Sequence, residues 1–366
     1  MDNTISSTKT TRIESLDFIR VFACFMVVLA HSCDFFVGMF DKSPISFLSG
    51  AFWGTLQRAS VPLFVMISGM LLLPIRDTAE VFYKKRMSRV LIPFVVWSLL
   101  SPLAYYAYGM ITLDKAINFM LLFPISFNLT TIPFWYIYML IGLYLIVPVI
   151  SPWLQTVSKK GLETYFKFWF FTLFIPYIHY FAPSLGYEGN YGSMAIFGMC
   201  DWNAIGLFHY TSGFIGYLLL GHYAVKYPLD WSMRKSLAIG LPTFIIGAAI
   251  TYFGFISVAK NFPALEVIWY FTNINVFMMT FGLFVILRKV NIQNITLRKI
   301  IAKVSALTFG IYLTHFLFVQ MGYDWIKHYE FAPYFQIPVI AIIAFTATGC
   351  FTYVLSKLPF GKYLVG

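Results

Sequence analysis

Long apolar runs separated by short polar gaps restrict this chain more than any other feature of it. They recur from one end of its 366 residues to the other. A soluble domain carries about 25% charged residues; here 11% are charged and 59% are hydrophobic. In a bilayer the backbone must satisfy its own hydrogen bonds, and a helix does so within one segment. The fold class expected is therefore an all-α integral membrane protein of about ten transmembrane helices. The runs place spans near 17–38, 56–74, 90–110, 133–153, 164–182, 205–225, 237–258, 266–287, 304–322 and 336–356.

The polar gaps carry an orientation signal. Of 26 Lys and Arg, 21 fall at the N-terminus, in alternate gaps and in the C-terminal tail. The other side holds Lys42, Arg58, Lys115, Lys260 and Lys327. Basic residues stay cytoplasmic, so both termini are expected in the cytoplasm, with residues 1–15 as a tail and 1–366 as one membrane-embedded domain. The net charge of +11 then reflects topology, not a nucleic-acid surface. In the 111–132 loop, KAINFMLLFPISFN is apolar enough for a re-entrant or interfacial segment. Cys24, Cys33, Cys200 and Cys350 have neither paired nor metal-ligand spacing and read as packing residues. The first apolar run lacks a small-residue cleavage site, so no removable signal peptide is expected.

Ionisable groups inside spans are costly and usually functional. Arg20 and His31 are eleven positions apart in LDFIRVFACFMVVLAH. On an α-helix that step is about three turns plus 20°, so they share a face about 16 Å apart. Asp17 is three residues before Arg20, close enough to pair with it. In SALTFGIYLTH, Ser305, Tyr312 and His315 share a face, with His315 at a depth similar to His31. Each histidine could line a cavity or fix a neighbouring helix by a hydrogen bond. The basic stretch FYKKRMSRVLIPF offers Lys84, Lys85, Arg86 and Arg89, suited to phosphate groups or to anionic lipid. Arg58, on the side where positive charge is disfavoured, suits an anionic group. Ser68 and Trp135 are weaker substrate-side candidates, open to helix packing and an interfacial belt respectively. His179, His209 and His222 have no evident partner, and no metal-ligand spacing, P-loop or GxGxxG occurs.

These residues fall into motifs that resemble acyltransferase family 3, the integral membrane O-acyltransferases. The shared features are Asp17, Arg20 and His31 in the first span, then VPLFVMISGMLLL at 61–73 preceded by Arg58. FYKKRMSRVLIPF at 82–94, FWYIYMLIGLYLIVP at 134–148 and SALTFGIYLTH at 305–315 follow in family order. The likeness is nearest to the bacterial branch that O-acetylates surface glycans such as enterobacterial common antigen. Val21 stands where the family commonly has glycine, and the extracytoplasmic hydrolase-like domain of some members is not seen.

The resemblance implies transfer of an acyl group, acetyl first of all, from cytoplasmic acetyl-CoA or another acyl-CoA. The acceptor would be a sugar hydroxyl of a surface polysaccharide or lipid-linked glycan, at the bacterial cytoplasmic (inner) membrane. Arg20 and the Lys84–Arg89 cluster would hold the CoA end, with no metal. His31 would act as general base or as a covalent relay, and Tyr312 and His315 would orient the acceptor or stabilise an oxyanion. Membrane lipid would surround it and nucleic acid would have no part. A rival expectation is a glycan or lipid transporter, against which no inverted repeat or pair of broken spans is visible.

Overall fold

The computed structural model describes residues 14–186, 208, 210–258 and 267–366. Lys9, Arg12, Cys200, His209, Lys260 and the start of the 205–225 span lie outside the described residues, as does the His179 side chain. Every regular element among the described residues is helical. In chain order they are α1 Glu14–Val37, α2 Pro44–Leu56, α3 Ser60–Leu72, α4 Ala79–Ala107, α5 Leu113–Leu122, α6 Trp135–Thr156 and α7 Lys159–Thr172. Then come α8 Ile175–Phe181, α9 Phe214–Lys226, α10 Met233–Ser257, α11 Ile274–Leu287, α12 Ile295–Ile326, α13 Pro333–Leu355 and α14 Gly361–Val365. A short 3-10 turn, Ile132–Phe134, leads into α6.

Local sequence explains where the helices begin. Ser43, Thr112, Ser158, Ser232 and Asn294 each accept a hydrogen bond from the backbone N–H three residues on. Each satisfies a donor that the first turn leaves without a partner. Pro93 and Pro102 in α4 and Pro148 and Pro152 in α6 lie inside helices, as bilayer-embedded bundles tolerate.

Eight segments among the described residues are long and apolar enough to cross a membrane. They are α1, the α2–α3 pair, α4, α6 with its leading turn, α10, the segment holding α11, α12 and α13. Three departures from the expected spans matter. The second span starts at Pro44, not near 56, and breaks at residues 57–59. PISFLSGAFWGTL is rich in Ser and Gly and looks loop-like, yet those small residues let α2 lie against α1, where a Cβ on Gly50 would strike Val37. The gap between the second and third spans is shorter than expected because α4 begins at Ala79, so Lys84–Arg89 are helical rather than looped. The expected 164–182 span is divided between α7 and α8.

Helix α1 is central, packing on α2, α3, α12 and α13. Helices α3 and α9 meet most closely at paired glycines: a Cβ on Gly69 would lie 1.8 Å from the Leu218 carbonyl oxygen, and one on Gly221 2.0 Å from that of Met66. Around this seam Leu63, Val65, Met66, Ile137, Leu162, Tyr217 and Leu218 form the largest buried cluster.

Candidate active site

Helices α1 and α12 run side by side in the same direction, and the register is visible in their contacts. The Ser305 hydroxyl donates to Asp17 at 2.6 Å, and Arg20 Nη1 donates to Ser305 at 3.3 Å. Cys24 reaches the Thr308 carbonyl, and the rings of His31 and His315 lie 5.2 Å apart. The eleven-residue step on α1 is thus matched by a ten-residue step on α12.

A cavity of about 370 Å³ opens along this seam. Arg20, Arg86 and Arg89 line it, and so do His31, Asp34, Gln57 and Arg58. Its wall includes Ser68, Trp135, Tyr136, Tyr144, Phe271 and Tyr312. Arg86, Arg89 and Val90 fall on one face of α4 by their spacing of three and four. Lys84 is turned about 200° away from Arg86. Both lysines are exposed and outside the cavity, and Lys85 pairs with Asp77 at 2.9 Å. The basic cluster therefore divides, with two arginines facing the cavity and two lysines facing away.

His31 is the histidine that lines the cavity among the described residues. Its Nδ1 lies 2.9 Å from Asp34 Oδ2, one helical turn on. An ionised carboxylate can only accept, so it fixes the proton on Nδ1 and leaves the Nε2 lone pair for chemistry. The edge of the ring also packs on Phe316. Asp34 is a functional candidate that sequence reasoning passed over; the signal was an acid three residues after an intramembrane histidine.

Six sequence candidates change character. Tyr312 donates its hydroxyl to the Pro133 carbonyl, which brings the segment before α6 back into the bundle beside the middle of α12. His315 is fully buried and does not line the cavity; its Nδ1 bonds the Tyr312 carbonyl at 2.6 Å and its Nε2 has no partner. Neither can donate to a substrate oxygen as arranged. Asp17 lies behind the cavity, committed to Ser305 and 3.9 Å from Arg20. Arg58 lies in the break between α2 and α3. Gly54 of α2 packs beside Cys33 of α1, and this antiparallel register brings Arg58 to the level of His31. Its guanidinium lies 3.8 Å over the Trp269 ring and donates to the Gly54 and Trp269 carbonyls. Ser68 spends its proton on the Phe64 carbonyl, and Trp135 stacks on Phe271 inside the bundle.

Among the described residues no group of three or more His, Cys, Asp or Glu could hold a metal ion. The site offers arginines for a polyanion at one end and a carboxylate-oriented imidazole at the other. No curated protein and no solved structure matches the chain. Residues 13–357 match the acyltransferase domain of acyltransferase family 3, which covers all of the site. The chain belongs to that family of membrane acyltransferases.

Proposed function

We propose that the protein is an O-acyltransferase that moves an acetyl group from cytoplasmic acetyl-CoA to a sugar hydroxyl of a surface polysaccharide or lipid-linked glycan. One observation supports this above all: His31, oriented by Asp34, opens on the same cavity as Arg20, Arg86 and Arg89. Guanidinium groups suit the phosphates of CoA through charge-assisted hydrogen bonds. The thioester then extends toward His31. The acceptor hydroxyl gives its proton to Nε2 and attacks the carbonyl carbon. Trp135, Phe271 and Arg58 surround the far end, where aromatic faces and hydrogen-bond donors fit a sugar. Both termini lie in the cytoplasm in this reading, and the arginine end of the cavity faces acyl-CoA.

The broken α2–α3 helix is also the sort of feature that lines transporter sites. Dependence on CoA separates the two functions. Purified protein supplied with labelled acetyl-CoA and a membrane glycan fraction transfers label, and His31→Ala does not. A protein that neither binds nor consumes acetyl-CoA is not this enzyme.

A further inference from the structure

Acyl transfer places negative charge on the thioester carbonyl oxygen, and the largest catalytic benefit comes from a donor already aimed at it. Tyr312 and His315 are unsuited, the first committed to Pro133 and the second sealed away with only an acceptor nitrogen free. Among the described residues three tyrosines line the cavity, and of these Tyr136 and Tyr144 have hydroxyls with no hydrogen-bond partner there. Tyr144 lies two turns along α6, about 12 Å toward the arginine end, among Arg20, Arg86 and Arg89. Tyr136 is at the other level. Its ring is 5.4 Å from that of Tyr312, the Tyr312 ring is 5.8 Å from that of His315, and the His315 ring is 5.2 Å from that of His31, so a run of rings joins Tyr136 to the His31 end of the cavity. Tyr136 is 9% exposed and lines the cavity.

We infer that Tyr136 is a catalytic residue whose hydroxyl donates a hydrogen bond to the thioester carbonyl oxygen as that oxygen becomes an oxyanion. This rests on the acyl-transfer reading above. The acceptor oxygen forms a bond to the carbonyl carbon while its proton passes to His31 Nε2. Collapse of the tetrahedral intermediate breaks the carbon–sulfur bond, and the proton moves from His31 to the departing thiolate, releasing CoA as the thiol. Tyr136 keeps its proton throughout. Its ring also packs near Phe64, and phenylalanine at this position keeps that packing while removing only the donor.

The test is Tyr136→Phe in the purified full-length protein, assayed with labelled acetyl-CoA and a membrane glycan fraction. The expected result is a kcat lower by about 10²-fold, with the KM for acetyl-CoA unchanged. CoA protects wild type and variant equally against heat aggregation. Transfer at the wild-type rate, or a raised KM with kcat intact, overturns the assignment while leaving the acyltransferase reading in place. Wild type that consumes no acetyl-CoA fails that reading instead. If the phenylalanine variant does not fold, a fluorinated tyrosine at 136 decides the matter. Its more acidic phenol ionises earlier, so kcat declines at high pH where wild type does not. An unchanged pH profile overturns the assignment.

Discussion

His31 and Asp34 show how much one helical turn decides. Four spacings on α1 and α12 were legible as shared faces, including Arg20 with His31 and Ser305 with Tyr312 and His315. The hydrogen-bond partners were not, because a side chain's partner depends on the helix that lies across from it. Asp34→Asn tests the pairing. An asparagine amide can donate to Nδ1, which moves the ring proton to Nε2 and removes the base; a loss of about 10²-fold in kcat is expected, with acetyl-CoA binding retained. His31→Ala, measured in the same assay, is expected to lose about 10²–10⁴-fold. A His31→Ala variant with full transfer would remove the base from this site.

Among the helices, most apolar runs declared themselves, and α2 did not. Its Ser and Gly content lowers hydropathy and resembles a turn, whereas the same small side chains are what permits close contact with α1. The break after it then carries Arg58 to the level of His31. The α3–α9 seam makes a sharper demand. No Cβ fits at Gly69 or Gly221, because each faces backbone carbonyl atoms and not the end of a flexible side chain. Gly69→Ala is expected to destabilise the protein by about 1–3 kcal/mol through overpacking. A lower midpoint of thermal unfolding in detergent measures it, and an unaltered midpoint means the two helices can separate without cost.

Across the whole molecule, the cavity sorts the basic residues by position, with Arg86 and Arg89 lining it and Lys84 and Lys85 outside it. Arg86→Ala or Arg89→Ala is expected to raise the KM for acetyl-CoA more than it lowers kcat, and Lys84→Ala with Lys85→Ala to leave both unchanged. Because arginine–phosphate attraction is screened by salt, wild-type KM is expected to rise between low and high ionic strength, and less so in the Arg89→Ala variant. Steady-state kinetics with acetyl-CoA as the varied substrate reads both. Composition and hydrophobic runs alone determine that this is a helical membrane protein, since a backbone in hydrocarbon has few ways to satisfy its hydrogen bonds. Motifs in order along the chain were enough to point to the family, because they record which residue types share a helix face. Which of those residues meet was decided only by the tertiary structure. Packing among α1, α2, α6 and α12 brings Asp34 and Arg58 to the level of His31, commits the Tyr312 hydroxyl to Pro133, buries His315, and leaves the Tyr136 hydroxyl without a hydrogen-bond partner among the described residues. Helix periodicity orients a side chain around its own axis, but only packing between helices supplies the neighbour that fixes or frees its proton.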